Sequence, residues 1–313
     1  MEHLKPKIEF YRRRSFSEKM NVTFEFIREN WKPLLKFSFY LIMPVCLIQT
    51  FAMNSFITVY FDALTHAGGN NPFGNSMISF LGNYGVLMCC ILTGTGLLSG
   101  MTYALMQTYA VRENRLQDVI LNDFKELLVK NTWKYIRLIL AFIALFCLIG
   151  ILMGFLVAVV SVWSLAVTIP LCFALLLCML PLMMLVPVYI FERHITFFAA
   201  IRKAWKLGVA TFGGMLGLMI VLYFISSVIQ TVTMLPWYIL WIVGTVFSLA
   251  SESMMSQSVI YKFVLYIFGL LQSYGMYVSM MIGIIGLAFQ YFHAREKVEG
   301  VTIESNISNF SNL

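Results

Sequence analysis

The sequence predicts an all-α, polytopic integral membrane protein with six transmembrane helices, arranged as three hairpins that are each preceded by a cytoplasmic amphipathic helix. The chain of 313 residues is 60% hydrophobic and only 12% charged, whereas soluble domains carry about a quarter charged residues. Its uncharged runs exceed the ~20 residues that a bilayer crossing needs. A basic amphipathic stretch ending in Trp-Lys occurs three times, at Trp31-Lys32, Trp133-Lys134 and Trp205-Lys206, and an apolar run follows each copy.

These stretches divide the chain into a polar N-terminal segment (1–14), a single membrane domain (15–294) and a polar C-terminal tail (295–313). The predicted amphipathic helices cover residues 15–31, 113–132 and 196–205. The predicted spans cover residues 34–60, 77–110, 138–160, 165–191, 209–233 and 261–292.

The first amphipathic helix is predicted from a capping pattern and an apolar stripe. Ser15 to Glu18 fits a capping box, in which the serine hydroxyl accepts from the Glu18 amide and the carboxylate reaches back to the serine amide. Apolar residues then recur every three or four positions up to Trp31, which indicates a helix lying in the membrane interface. Pro33 suits the first turn of a new helix, so we expect the first span to begin at about Leu34.

The second span follows a stretch that contains no Lys or Arg and several turn-forming residues, Phe61 to Ser76. This stretch is typical of a loop. Gly94, Gly96 and Gly100 lie in the middle of the span. Small residues at this spacing predict a face against which another helix packs closely.

The second amphipathic helix leads into a run, Leu138 to Phe191, that contains no charged residue. At ~1.5 Å per residue, one helix of this length would far exceed a bilayer. We therefore predict a hairpin with its turn near Ser161 to Ser164.

The third amphipathic helix, from Thr196 to Trp205, leads into a span that ends at about Thr233. The segment 235–250 is short, begins near Pro236 and is rich in aromatic residues. That composition favours an interfacial or re-entrant segment over a crossing. A seven-span alternative would use 235–250 as a crossing and place Arg295 and Lys297 on the outer side.

The basic residues predict the orientation. In the six-span topology every Lys and Arg except Lys262 lies on one side of the membrane. By the positive-inside rule, both termini and the three amphipathic helices are then cytoplasmic. Together with the family resemblance given below, this predicts a multi-pass protein of the bacterial inner, or cytoplasmic, membrane. The net charge of +7 accordingly indicates attraction to anionic membrane lipids, and not to nucleic acid.

The sequence contains no pattern that predicts catalysis, a metal site or a cofactor. Its six cysteines all lie in apolar runs and show no metal-binding spacing. No hydrolase, metalloprotease or phosphate-loop motif occurs, so we expect a protein that is not an enzyme. The one candidate polar cluster consists of Glu192, His194, His293 and Arg295. For Glu192 itself, an interfacial salt bridge or a helix cap is favoured over ligand binding.

Two segments resemble a known family. One is VPVYIFERHITFFAAIRKAWKLGVATFGGMLGL, Val186 to Leu218, and the other is FQYFHAREKVEGV, Phe289 to Val301. They are similar to segments of the bacterial six-helix inner-membrane proteins that include the membrane domain of glycerophosphoryl diester phosphodiesterases. The resemblance implies an all-helical inner-membrane module of Bacteroidetes type. It transfers no catalytic residue, because catalysis in those phosphodiesterases belongs to a separate soluble domain.

The sequence as a whole predicts a non-catalytic membrane module that binds lipid or a partner protein. A transporter or exporter of an apolar or lipid-like molecule is the alternative, although charge deep in the spans, which would mark an ion-coupled path, is absent. A membrane-embedded enzyme acting on lipid would have to use the polar cluster. The residues expected at the lipid-headgroup or partner interface are basic or aromatic: Arg12, Arg13, Arg14, Arg28, Trp31, Lys32, Trp133, Lys134, Arg202, Lys203, Trp205 and Lys206.

Overall fold

The computed structural model describes residues 6–65, 77–160, 170, 173–174, 177–192, 195–250 and 258–302. Its helices are α1 (Phe16–Thr65), α2 (Met77–Val111), α3 (Leu121–Val160), α4 (Leu185–Phe191), α5 (Phe197–Ala210), α6 (Phe212–Ala250) and α7 (Val259–Val298), with a 3-10 turn at Pro181–Met184. Within these ranges there is no strand. Five helices, α1, α2, α3, α6 and α7, are long and apolar enough to cross a membrane. The prediction of an all-helical membrane protein is confirmed at this level, with five candidate spans in the described ranges where six were expected.

The start of α1 follows the predicted capping box. The Ser15 amide donates to Glu18 Oε2 at 2.6 Å, and the Glu18 amide donates to Ser15 Oγ at 3.3 Å. Asn30 interrupts the helix with a non-helical backbone (φ −116°, ψ 19°), close to the predicted boundary between amphipathic helix and span. The face buried in the protein passes through Lys19, Val22 and Phe26, whereas the predicted apolar stripe ended at Trp31, which is exposed.

The bounds of α2 match the predicted span closely. Residues of neighbouring helices pack directly against its glycines. A Cβ at Gly94 would collide with the Tyr277 side chain of α7, and a Cβ at Gly96 would lie 2.9 Å from Ile136 of α3. At Gly100 the same atom would lie 2.8 Å from the backbone nitrogen of Thr132. Two helices therefore approach α2 at these glycines.

The prediction of an amphipathic helix over 113–132 is wrong in its first part. Residues 113–118 form a turn, and α3 begins at Leu121 and continues without a break to Val160. Arg115 (φ 57°) and Asp118 (φ 53°) adopt left-handed backbone conformations, which end a right-handed helix. The apolar residues that suggested a helical face, such as Leu116 and Val119, are buried within the connection.

The predicted span over 165–191 is interrupted in its described part. The 3-10 turn at Pro181–Met184 separates the residues before it from the seven-residue α4. A proline cannot supply the helical N–H, and Pro181 stands at the start of this turn. The predicted hairpin turn at 161–164 lies outside the described residues.

The segment 235–250 is not a separate element. It continues α6, which runs through Pro236 for 39 residues. Prolines are tolerated in membrane helices where neighbouring helices supply compensating contacts. Here the adjacent Trp237 is buried and its Nε1 donates to Asn54 Oδ1 of α1 at 3.1 Å.

The central helix of the bundle is α7, which contacts α1, α2 and α6. Polar side chains join it to α1: Tyr277 donates to Gln49 Oε1 at 2.5 Å, and the hydroxyls of Thr50 and Ser273 lie 3.1 Å apart. Neighbouring helices also pack as α1 with α2, α2 with α3 and α6 with α7. Helices adjacent in the sequence thus contact each other, whereas the hairpin expected over 138–191 depends in part on residues outside the described ranges.

The N-terminal segment lies at one end of the bundle, which we call the basic end. The helix ends near Val111, Leu121, Phe191 and Val298 lie at the same end. The segment 6–15 packs against it through Phe10, whose ring lies 4.9 Å from that of Phe292. The predicted boundary at 294 falls inside α7, which continues to Val298. Since α7 has 40 residues, or about 60 Å of helix against a hydrocarbon core of about 30 Å, its ends project beyond the membrane-spanning part.

Candidate functional site

A cavity of about 430 Å³ lies between α2, α3, α6, α7 and the segment that carries the 3-10 turn. Most of its lining is apolar. The side chains that form its walls include Tyr103, Phe142, Leu182, Met183, Tyr223, Met280 and Leu287. The cavity is therefore bounded by side chains that suit a hydrocarbon chain.

The few polar side chains on the walls mostly satisfy the helix backbone. Ser226 Oγ donates to the carbonyl of Ser279 at 2.9 Å, and Ser227 Oγ donates to the carbonyl of Phe224 at 2.7 Å. Gln230 adds one amide to the lining at the end away from the basic end. Because the hydroxyls of Ser226, Ser227 and Ser279 already donate to carbonyls, the surface that remains for a ligand is largely apolar, with the buried Ser99 hydroxyl as an exception.

An aromatic layer separates the cavity from the basic end. Tyr103, which lines the cavity, lies 5.4 Å from Phe191 in an edge-to-face arrangement. Phe191 stacks on Tyr291 with ring centroids 5.8 Å apart. Tyr291 follows Leu287 of the cavity wall by one turn of α7, so the layer stands directly over the cavity.

A network of charged side chains, called here the charged network, lies above this layer. Lys203 Nζ of α5 lies 2.7 Å from Glu192 Oε1 and 2.8 Å from Glu299 Oε1. Arg295 Nε lies 2.8 Å from Glu299 Oε2 and 3.9 Å from Glu192 Oε1. Tyr291 donates to Glu192 Oε1 at 3.2 Å. The network therefore ties the end of α4 to α5 and α7.

The N-terminal segment and α3 also reach this network. Arg295 donates to the hydroxyl of Tyr11 at 3.2 Å. Lys134 Nζ of α3 donates to the carbonyls of Tyr189, Ile190 and Glu192 at 2.5, 3.4 and 3.3 Å. An ammonium group at these carbonyls caps the C-terminus of α4 and interacts favourably with its dipole.

Opposing charges set the ionisation of the network. Burial alone acts to raise the pKa of Glu299, but hydrogen bonds from Lys203 and Arg295 outweigh it and lower that pKa below its ordinary value. Burial acts to lower the pKa of Arg295, whereas Tyr291, Glu299, Tyr11 and Glu192 together raise it. Glu299 and Arg295 are thus each stabilised in the ionised form by their partners in the network.

The candidate polar cluster is only partly assembled. Glu192 and Arg295 come together in the charged network as a salt bridge, and Tyr291 also donates to Glu192. His293 faces away, where its Nδ1 accepts from the Arg14 amide at 3.0 Å. His194 lies outside the described residues. Among the described members of the cluster, Glu192 and Arg295 are thus brought together, and His293 makes a separate contact with the N-terminal segment.

A second polar contact joins α1 to α7 beside His293. Lys19 is only 3% exposed and donates to Gln290 Oε1 at 2.7 Å, while Gln290 Nε2 donates to Thr211 Oγ1 at 3.2 Å. Burial lowers the pKa of Lys19, and the nearby Lys297 acts in the same direction. A lysine on a helix predicted to lie at the membrane surface is expected to be exposed, so this contact was not predicted.

The predicted interface residues divide into two groups. Lys134 and Lys203 belong to the contacts described above, and buried Arg14 donates from its guanidinium to the carbonyls of Phe10 and Glu9. The others lie on the surface: Arg12, Arg13, Arg28, Trp31, Lys32, Trp133, Arg202, Trp205 and Lys206. The three tryptophans are 52%, 57% and 42% exposed, as expected for aromatic side chains at headgroup depth.

Sequence reasoning missed Tyr11, Tyr103, Tyr291 and Glu299, all of which belong to the aromatic layer or the charged network. Tyr291 and Glu299 lie at i and i+8 on α7, four residues either side of Arg295, and this spacing was the one available signal. Tyr11 and Tyr103 lie far from α7 in the sequence, and no spacing pattern indicated that they belong to the same site.

Among the described residues, no group of three or more His, Cys, Asp and Glu side chains could hold a metal ion. No family model, no curated protein and no solved structure matches this chain. The resemblance to phosphodiesterase membrane domains stays a prediction.

Proposed function

We propose that the protein is an integral membrane module that binds a lipid-like molecule, with the apolar part of the ligand in the cavity between α2, α3, α6 and α7. The observation that carries this proposal is the position of the cavity. It lies at the depth of the membrane-spanning helices, beneath an aromatic layer and the charged network.

The dimensions of the cavity suit a hydrocarbon chain. Its α6 wall extends from Met219 to Gln230, a rise of about 16 Å at ~1.5 Å per residue. That distance is about half of a typical hydrocarbon core. A cavity of about 430 Å³ also lies within the range of ligand sites, roughly 300 to 1,000 Å³.

The proposal includes an orientation and a location. The basic end carries the exposed Arg202, Trp205 and Lys206 of α5 together with Trp31 and Lys32 of α1. By the positive-inside rule this end faces the cytoplasm in a bacterial inner membrane, with both termini on that side. The module is proposed to be non-catalytic, to take membrane lipids, preferentially anionic ones, as ligands, and to use the same basic end for any protein partner.

Filling the cavity tests the proposal. Gly283 lines the cavity, and a Cβ at this position would meet no atom within 4 Å. Gly283→Leu should therefore occupy the ligand space without a clash, and it replaces glycine with a better helix former. Mass spectrometry of lipids retained after mild-detergent purification should show that the wild type keeps a lipid that the variant loses.

Gly85→Leu is the matched control, since a Cβ at Gly85 also meets no atom within 4 Å and this residue does not line the cavity. It should retain the lipid as the wild type does. Equal lipid retention by Gly283→Leu and the wild type, with both proteins folded, would refute the proposal.

Transport of a lipid-like molecule is the second candidate function. The observation that favours it is that α3 and α6 face each other across the cavity and share few direct contacts in the described residues, which would let a chain pass between them. The test is the transfer of a fluorescent lipid between leaflets of proteoliposomes. Wild-type protein should accelerate the transfer and Gly283→Leu should not. Transfer no faster than in protein-free liposomes would eliminate this function.

A further inference from the structure

We infer a second ligand site, at the kink of α1, that binds the phosphate headgroup of an anionic phospholipid together with the first part of one acyl chain. It is separate from the cavity between α2, α3, α6 and α7, and shares no lining residue with it.

The site consists of two adjoining depressions of different character. The larger, of about 600 Å³, has both polar and apolar surface and is lined by Trp31, Lys32, Lys36 and Arg115 among others. The smaller, of about 240 Å³, is apolar and is lined by Tyr40, Leu41, Ile120 and Leu121. Lys36 and Phe37 line both. A ligand with a charged head and an apolar chain would match the two depressions, with its head in the larger one and its chain in the smaller one.

One wall is the interruption in α1. Asn30 leaves the helical conformation, and its Nδ2 donates to the carbonyl of Phe26 at 3.0 Å. Pro33, three residues later, has no N–H to donate to the carbonyl of Glu29. The interruption therefore displaces the helix and leaves a concave surface that a straight helix would not have.

The other wall is the turn between α2 and α3, which is held in a costly conformation. Arg115 and Asp118 both have positive φ, a conformation that is unfavourable for residues other than glycine and that clusters at ligand sites. A salt bridge of 2.9 Å from Arg115 to Glu29 Oε1 holds this turn against α1. The two walls are thus fixed relative to each other before a ligand binds.

Charge favours an anion at the mouth of the site. Lys32, Lys36 and Arg115 oppose Glu29 and Asp118 among the lining residues, which leaves a net charge of 3 − 2 = +1. Arg115 pairs with Glu29, whereas in the described part of the chain Lys32 and Lys36 have no carboxylate within 4.0 Å. They are four residues apart and so lie on one face of the helix. Two exposed ammonium groups are available to a phosphate.

The depth of the site identifies the phosphate as that of a bilayer lipid. Trp31 and Tyr40 flank the site and are 52% and 69% exposed, and such aromatic side chains sit at the level of the headgroups. The apolar depression lies on the side of α1 that continues into the membrane-spanning part. A free phosphate ion would use only the polar depression and would leave the apolar one without an occupant.

Native mass spectrometry of the full chain in detergent, titrated with phosphatidylglycerol or phosphatidylcholine, tests this site. Each lysine contributes ~1 kcal/mol with an anionic surface, so Lys32→Gln/Lys36→Gln should weaken binding of phosphatidylglycerol roughly 10- to 30-fold. Lys32→Arg/Lys36→Arg should retain it. Arg202→Gln/Lys206→Gln removes the same charge from the exposed face of α5 and should change the affinity less than about threefold.

Three results would overturn the inference. The glutamine pair could bind phosphatidylglycerol as tightly as the α5 control does, the wild type could bind phosphatidylcholine equally well, or millimolar inorganic phosphate could displace phosphatidylglycerol. Thermal unfolding checks that each variant is folded. Gly283→Leu should remove only the lipid held in the cavity and should leave the lysine-dependent binding of phosphatidylglycerol unchanged, so failure of the inference is distinguishable from failure of the proposed function.

Discussion

Lys203 Nζ lies within 2.8 Å of two carboxylates, at 2.7 Å from Glu192 and at 2.8 Å from Glu299. Glu192 closes α4 and Glu299 follows α7, so one ammonium group of α5 holds the ends of two other helices. All three side chains are half-buried, and ion pairs in such a setting are screened by solvent less than exposed pairs are.

We expect Lys203→Met to destabilise the protein. The substitution leaves Glu192 and Glu299 with Arg295 as their remaining cation, and hydrogen bonds to charged groups contribute about 1.5 to 3 kcal/mol. The thermal unfolding midpoint in detergent should fall. Lys206→Met, on the exposed face of the same helix, is the control and should change the free energy of unfolding by less than about 0.5 kcal/mol. Equal effects of the two substitutions would contradict the role of the charged network.

The capping of α4 by Lys134 gives a second prediction. Lys134 Nζ donates to three carbonyls at the end of α4, and no other residue of α3 does so in the described structure. Lys134→Met should lower the free energy of unfolding by about 1 to 3 kcal/mol, because it leaves those carbonyl acceptors unsatisfied. The exposed Lys130 of the same helix provides the comparison, and Lys130→Met should be nearly neutral. Protection of the Lys134 region from hydrogen exchange, measured by mass spectrometry, should fall only in the first variant.

The close approach of α2 and α3 gives a third prediction. A Cβ at Gly100 would lie 2.8 Å from the backbone nitrogen of Thr132, so Gly100→Ala forces the two helices apart. Overpacking of this kind typically lowers the free energy of unfolding by about 1 to 3 kcal/mol. Gly82→Ala meets no atom within 4 Å and should be neutral or slightly stabilising. If Gly100→Ala unfolds at the wild-type temperature, the helices are not packed as described.

The pH dependence of stability should report on His293. Burial lowers the pKa of His293 to about 4, and the cations Lys19, Lys297, Arg14 and Arg13 act in the same direction. Since the folded pKa is below the unfolded value of about 6.5, the unfolded chain takes up the proton first as pH falls. The stability that the folded protein gains from keeping His293 neutral is fully present above about pH 6.5. It declines as pH falls and is lost at about pH 4.

His293→Gln isolates this contribution, because its amide oxygen can still accept from the Arg14 amide but does not titrate. We expect the wild type to lose more stability than the variant when pH is lowered from about 7 to about 4.5, measured by thermal unfolding in detergent. Parallel pH profiles for the two proteins would show that His293 is not held neutral by its surroundings.

Much of the fold could be predicted from the sequence where local chemistry determines it. The capping box of Ser15 and Glu18, the break next to Pro33 and the bounds of α2 all follow from residue types at fixed spacings. The turn at 113–118 could not be predicted, because Leu116 and Val119 fit a helical stripe and only the backbone conformations of Arg115 and Asp118 exclude one. Likewise Pro236 suggested a break, but packing of the adjacent Trp237 against α1 sustains the helix.

The candidate sites depended on contacts between distant segments, which the sequence does not display. Lys203 and Lys206 look alike in the sequence, yet only Lys203 meets two carboxylates. Glu192 and Arg295 were named together only as members of the candidate polar cluster, and their salt bridge was not predicted. The cavity was not, since it arises from the way five segments pack and from the absence of a side chain at Gly283.

Photo-crosslinking with a phospholipid that carries a diazirine on its acyl chain tests the central claim most directly. If the cavity holds the chain, crosslinks should map to Met183, Tyr223 and Met280 in the wild type, and Gly283→Leu should remove them while Gly85→Leu keeps them. Crosslinks confined to outward-facing side chains such as Phe224 and Phe51, unchanged by Gly283→Leu, would contradict the account.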